Sequence, residues 1–223
     1  MAVNIAIDGP AGAGKSTIAK DVAKKLKFVY VDTGAMYRAI ALYMLRKEYK
    51  KDETVIGKAV HDIEVKIAYV NGEQQVLLNG ENVNGFIRSE EVGNMASFVA
   101  KVPAVREKLL DLQRSLASSE NVIMDGRDIG THVLPNADVK IYLTASSKER
   151  ASRRYKELCE KGVECDIQEI ERDIIARDQQ DMNREIAPLK QADDAVLVDS
   201  SDMSIEQVVR TIIDIYEKKC QHV

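Results

Sequence analysis

The sequence predicts an α/β fold, a parallel core sheet flanked by helices with a small antiparallel insert and a helical lid. Three observations predict it. Short apolar strands alternate with helical segments in both halves of the chain. A glycine-rich loop separates the first strand from the first helix. Two Asn-Gly pairs in between signal hairpins, because both residues accept positive φ.

Taken in order, residues 3–8 alternate apolar residues, stop at Gly9 and read as a buried strand. Residues 15–27 have helical periodicity, 28–32 (FVYVD) form a second strand, and 34–48 open a second helix. The pattern then changes. Residues 63–85 read as short strands around VNG, LNG and VNG, turning at Asn71-Gly72 and Asn79-Gly80. Helices follow at 89–100 and 103–118, the second opening on Pro103, a residue suited to the first helical position. Strands return at 121–125, 139–145 and 194–199. The charged stretch 146–185 reads as two helices joined near KGVEC, and 204–220 as an amphipathic terminal helix. The expected division is a core of residues 1–62, 106–145 and 186–223, an insert of 63–105, and a lid with connecting helices at 146–185.

Length and composition fit this plan. The 223 residues suffice for one substantial core with a small insert, and 45% hydrophobic with 30% charged residues is an ordinary soluble mix. A net charge of -4 does not favour nucleic acid as a partner, so any basic site must be local. No apolar run reaches the ~18 residues of a membrane helix. MAVNIAIDG has no basic leader or cleavage site, so a cytoplasmic protein without membrane contact is expected. Cys159, Cys165 and Cys220 lack metal-ligand spacing and read as reduced thiols. His61, His132 and His222 do not cluster, which gives no metal site.

The loop Gly9-Pro10-Ala11-Gly12-Ala13-Gly14-Lys15-Ser16-Thr17 satisfies the phosphate-loop pattern in its required place between strand and helix. Its glycines let main-chain N–H groups wrap an anion, and the helix N-terminus adds partial positive charge. Lys15 is positioned to reach the β- and γ-phosphates of ATP, and the Ser16 hydroxyl to ligate Mg²⁺. No N-K-x-D segment is present, and Asp125 is followed by Gly126 rather than by a second carboxylate that orients water. Both features favour transfer to an acceptor other than water.

Ligands of parallel α/β sheets sit beyond the carboxyl ends of the strands. Thr33, Tyr37 and Arg38 follow the second strand, and Arg127 with Asp128 follows the next. Arg177, Asp181 and Arg184 fall at i, i+4 and i+7, on one helical face. Converging arginines imply a second phosphorylated ligand facing the first. For any one arginine the alternative is an ion pair with a neighbouring aspartate on a solvated surface, and for Tyr37 it is packing. Arg150, Arg153 and Arg154 lie close to one face of a candidate lid that closes over ATP; a solvated helix of Glu–Arg pairs is the alternative for each.

Together IDGPAGAGKST, DTGAMYR, MDGRDIGT, ARDQQDMNRE and PLKQADDAVLVD resemble the bacterial cytidylate kinase family, from about residue 3 to about 216. The resemblance implies a P-loop nucleoside monophosphate kinase: a parallel core, an enlarged insert with antiparallel strands that binds the monophosphate, and a lid. It implies transfer of the ATP γ-phosphate to CMP or dCMP, with Mg²⁺, by a monomer. Carried onto this chain, Arg38, Arg127 and Arg184 match residues holding the acceptor phosphate, Arg177 and Asp181 those at the sugar, and Ser97, Arg106 and Asp128 those reading cytosine. Arg153 matches a lid arginine, and Thr33 keeps the hydroxyl of the Ser found in some members. A kinase for another small acceptor and a nucleotide-binding module without catalysis remain the competing readings.

Overall fold

The computed structural model describes residues 2–220. His222 lies outside them. Five strands form the core sheet: β1 (Asn4–Asp8), β2 (Val29–Asp32), β6 (Val122–Gly126), β7 (Val139–Thr144) and β8 (Val196–Asp199). All pair in parallel, in the order β2-β6-β1-β7-β8. A separate antiparallel sheet is made of β3 (Val65–Val70), β4 (Glu73–Leu78) and β5 (Glu81–Asn82). Both hairpin turns take positive φ, 52° and 79° at Asn71-Gly72 and 49° and 85° at Asn79-Gly80, which is the conformation those residues were expected to supply.

Side chains alternate across the core strands and so build two hydrophobic clusters. On one face Ile5 and Ile7 of β1, Ile123 and Ile141 meet α1 (Lys15–Leu26) and α8 (Ile205–Cys220) through Ile18, Val22, Val209 and Ile212. On the other, Ala6, Val31 and Met124 meet Met36, Ile40 and Met44 of α2 (Thr33–Arg46). That second cluster runs on into the insert through Val76, Leu78, Val92 and Val99, the last two on α4 (Glu90–Val99). Leu109 of α5 (Pro103–Ser119) completes it. The insert therefore shares one apolar interior with the α2 face of the sheet, and residue 105 falls within α5.

The charged stretch folds as α6 (Ser147–Glu160) and α7 (Ile167–Asn183). Ser146 caps α6 by accepting from the Glu149 N–H at 3.2 Å, and Asp166 caps α7 by accepting from the Gln168 N–H at 2.8 Å. Gly162, at φ 71°, ends α6 in the left-handed conformation. One helix was not expected: α3 (Glu53–Ala59), continued by a 3₁₀ turn over Val60–Asp62. At seven residues it is too short to show a period, although Asp52 caps it by accepting from the Val55 N–H at 2.9 Å.

A π turn, Ile129–Val133, follows β6. It is tied to the end of β1, because the Asp8 carboxylate accepts from the Ile129 N–H at 2.8 Å and the Gly130 N–H at 2.7 Å. These bonds favour the charged form, but burial outweighs them and pushes the Asp8 carboxyl from 3.8 up to about 6. The folded protein thus keeps a proton that the unfolded chain has lost between those values, and its stability falls as pH rises through that window. The Asp8→Asn protein lacks this titration, so its stability relative to wild type is expected to rise by about 1 kcal/mol per pH unit over the window. Urea denaturation of both proteins at several pH values checks this; a constant difference contradicts it.

Candidate active site

Beyond the carboxyl ends of β1, β2 and β6 lies a cavity of about 560 Å³, walled by the glycine-rich loop, the start of α2, the insert helices and α6–α7. Its lining holds ten cationic and five acidic side chains, an excess of five positive charges in a chain whose net charge is -4. Such local charge needs an anionic ligand to offset it.

The loop side is shaped by close backbone contact. Gly9 has φ 150°, and a Cβ there would stand 1.9 Å from the Leu143 carbonyl oxygen. Gly12 and Gly14 have φ 74° and 82°, so α1 starts from a left-handed residue, and its first residues line the cavity. Lys15 is buried, and its Nζ donates to the Pro10 carbonyl at 2.7 Å. Burial first, then the Arg127 charge, hold its pKa below the usual lysine range, against the pull of Asp125, Asp8 and Asp181. Ala11, Gly12, Gly14, Lys15, Ser16 and Thr17 line the cavity. Gly9, Pro10 and Ala13 stand behind them and shape the loop.

At the floor the Ser16 hydroxyl donates to Asp125 Oδ2 at 2.8 Å, and the Tyr30 hydroxyl donates to Asp125 Oδ1 at 3.0 Å. Burial and then Asp32 raise the Asp125 pKa. The Thr33 hydroxyl donates to the Asp125 carbonyl at 2.7 Å. Ser16 and Asp125 offer hard oxygen donors, which suits a magnesium ion that keeps water and phosphate as its other ligands.

The opposite wall carries the other expected residues: Thr33, Tyr37, Arg38, Ser97, Arg106, Arg127, Asp128, Arg177, Asp181 and Arg184 all line the same cavity. Arg38 Nη1 donates to the Ile87 carbonyl at 3.3 Å, and Arg127 Nε to Asp181 Oδ2 at 2.9 Å. Buried Arg177 Nε has no partner among the described residues. Burial and then Arg177 bring Arg38 down to about 10; burial and then Arg127 lower Arg177 as well. These three guanidiniums crowd one another without enough counter-charge.

Asp128 sits between two cations. It accepts from Arg106 Nη2 through Oδ2, and from Arg184 Nη2 through Oδ1 at 3.0 Å. Arg106 also donates to the Ala100 carbonyl at 3.2 Å and lies over the Tyr37 ring, 5.7 Å from its centroid. The Ser97 hydroxyl donates to the Gly93 carbonyl one turn back in α4 at 3.2 Å, and Ser97 lines the cavity.

Two expectations change. Arg184 is not on the α7 face with Arg177 and Asp181. The helix ends at Asn183, and Arg184 is extended (φ -66°, ψ 142°), held by its Nε donating to the Ala187 carbonyl at 2.6 Å. Arg150 is not a free lid residue. It is buried and braces the loop to α6 and α7, donating to the Ala145 and Ala11 carbonyls at 2.9 and 2.8 Å and to Asp178 at 2.6 Å. Arg153 lies beside the loop, bonded to Glu149 at 3.2 Å and the Ser200 carbonyl at 3.0 Å, and Arg154 pairs with Glu157 at 2.8 Å. Sequence reasoning missed Asp125 as a partner of Ser16, and also Tyr30, Asp32 and Arg88. Asp125 and Asp32 carried a signal, each as a carboxylate at the end of an apolar strand; Tyr30 and Arg88 carried none.

Comparison with known proteins agrees with this geometry. The family model described as Cytidylate kinase matches residues 5–218. A protein named cytidylate kinase from Caldicellulosiruptor saccharolyticus is 50% identical over 217 residues, covering 97% of this chain and 96% of that protein. Its namesakes from Alkaliphilus metalliredigens (49% identical, 96% of each chain) and Thermosipho melanesiensis (47%, covering 99% and 100%) are similar. Among solved structures, an uncharacterized protein from Eubacterium ventriosum ATCC 27560 shares the fold at TM-score 0.53 and 10% identity, covering 96% of this chain and 98% of that one. With a phosphate loop and a cluster of arginines facing one cavity, and with relatives of this identity over its length, the chain belongs to the cytidylate kinase family.

Proposed function

We propose that the protein transfers the γ-phosphoryl group of ATP to CMP or dCMP, giving ADP and CDP or dCDP. The observation that carries this reading is the placement of the glycine-rich loop with Lys15 opposite Arg38, Arg127, Arg177 and Arg184 in one cavity. A sensor of one nucleotide has no use for a second anion-binding wall.

In this reading the loop N–H groups and Lys15 hold the ATP phosphates. Arg38, Arg127 and Arg184 hold the acceptor phosphate, Arg177 and Asp181 the sugar, and Arg153 lies beside the loop to offset charge on the phosphoryl group in transit. The nucleophile is an acceptor phosphate oxygen, already largely ionised at neutral pH, so no general base is required. The protein's task is to align two anions and neutralise their repulsion. Ser16, oriented by Asp125, supplies the protein oxygen for Mg²⁺, which when bound neutralises phosphate charge. With the expected bounds, the core supplies the loop together with Arg38, Arg106, Arg127 and Asp128, the insert supplies Ser97, and the lid segment supplies Arg153, Arg177, Asp181 and Arg184. The reading includes cytoplasmic location and a monomeric state, supported by the resemblance of the motifs; no described helix is long and apolar enough to cross a membrane.

Cytosine offers an amino donor at C4 and an acceptor at N3. Asp128 accepts and Arg106 donates, and their ion pair fixes both groups before the base arrives. Uracil reverses that edge, leaving the carboxylate facing an oxygen. Asp128→Asn removes the charge that holds Arg106 and Arg184. It is expected to lower kcat/KM for CMP about a hundredfold and to narrow the CMP over UMP ratio at least about tenfold. An unchanged ratio removes Asp128 from base recognition.

The direct test supplies ATP and Mg²⁺ with CMP, dCMP, UMP or AMP and follows ADP. Rapid release with CMP and dCMP is expected. Release that ignores the acceptor indicates an ATPase, and none with any acceptor indicates a binding module. Lys15→Met should cut turnover at least about a thousandfold while CMP still binds, as measured by calorimetry; near-normal turnover contradicts the assigned role.

A further inference from the structure

We propose that Gln74, which does not line the cavity, is a positioning residue for the acceptor wall, acting through the main chain of Asp32; the inference rests on the kinase reading above. β2 is an edge strand of the core sheet. Val29 turns its N–H to the Asn121 carbonyl at the β6 side, so the main-chain groups of Tyr30 and Asp32, one residue out of phase, point away from the sheet. Such edge groups need partners. The insert provides them with side chains. Gln74 on β4 accepts from the Asp32 N–H at 2.8 Å through Oε1 and donates to the Asp32 carbonyl at 3.2 Å through Nε2. One side-chain amide thus pairs both ways with one residue, as a neighbouring strand would. Gln74 is itself fixed, its own carbonyl accepting from Asn84 Nδ2 at 2.8 Å.

Asp32 is the hinge between β2 and α2. Its carboxylate accepts from the Ala35 N–H at 2.9 Å, capping the helix, and from Arg88 Nη2 at 2.6 Å. The next residue is Thr33, bonded to Asp125, and one turn further on are Tyr37 and Arg38. A Cβ on Gly34 would lie 3.3 Å from Asp32 Oδ1, so the first turn of α2 packs closely on the capping carboxylate. The insert therefore grips the peptide of Asp32 with Gln74 and its carboxylate with Arg88. Loosening the peptide grip lets the first turn of α2 move, and with it the side chains that meet the acceptor phosphate. The loop that holds ATP starts from β1, two strands away in the sheet, and has no direct bond to Gln74 or Asp32 among the described residues.

The test uses the full chain. Gln74→Met keeps length and volume but loses both hydrogen bonds. Tyr69→Phe is the control, because the Tyr69 hydroxyl bonds the same edge at the Tyr30 carbonyl, 3.1 Å away, without touching Asp32. Gln74→Met is expected to raise KM for CMP about tenfold, with KM for ATP unchanged within about twofold. Tyr69→Phe is expected to leave both at wild-type values. An unchanged CMP KM in Gln74→Met, an equal rise in both KM values, or the same CMP effect in Tyr69→Phe overturns the proposal. The wild type is assayed first with CMP; absence of turnover there overturns the kinase reading, and the inference with it.

Discussion

Like charges crowded at the end of a sheet set the terms for this molecule. Burial and the neighbouring Arg177 and Arg127 charges disfavour the protonated form of Arg38, burial and Arg127 do the same to Arg177, and Lys15 is buried as well. Confining cations in this way works against folding, because burial disfavours each charge and neighbours of the same sign add to the cost. The structure limits the cost with a few carboxylates: Asp181 on Arg127, Asp178 on Arg150, and Asp128 shared by Arg106 and Arg184. Arg177 Nε stays without a partner among the described residues. That deficit of counter-charge is what the proposed phosphate ligands would offset.

The rest of the architecture serves to hold that arrangement. A parallel sheet brings the ends of β1, β2 and β6 to one edge, so segments distant in sequence meet there. Asp8, at the end of β1, ties down the π turn that follows Asp128, and Asp32, at the end of β2, caps the helix bearing Arg38. Each carboxylate sits where a strand stops and orders the next turn before any ligand arrives. Arg150 on α6 also bonds the Ala11 carbonyl and so joins α6 to the glycine-rich loop. Preorganisation of this kind spares the transfer step the reorganisation that water would need.

Much of this was legible in the sequence, for local reasons. The phosphate loop is contiguous, and its glycines are dictated by the main-chain approach at Gly9 and the left-handed φ at Gly12 and Gly14. The Asn-Gly turns announced the antiparallel insert. The arginines pointed to the cavity because strand ends in parallel sheets gather there. What escaped notice depends on contacts between distant segments. Tyr30 and Ser16 reach Asp125 across 95 and 109 residues, with no periodicity to mark the pairing. The i+7 spacing of Arg184 assumed a helix that in fact stops at Asn183, before Ala187 turns to φ 47° and the Leu189 N–H bonds the Asp181 carbonyl at 2.9 Å. Arg150 reads in the sequence as a lid residue or a solvated one, because a charged helix gives no hint of which arginine is buried.

If two phosphorylated ligands are gripped face to face across one cavity, a single molecule that spans both grips should exploit them together. The most direct measurement is the affinity of cytidine and adenosine joined through a chain of five phosphates, by calorimetry, beside ATP and CMP alone. The account predicts one molecule bound per chain, displaced by either nucleotide, and held at least about a hundredfold more tightly than each. Affinity no better than that of ATP, with CMP unable to displace the linked ligand, would contradict it.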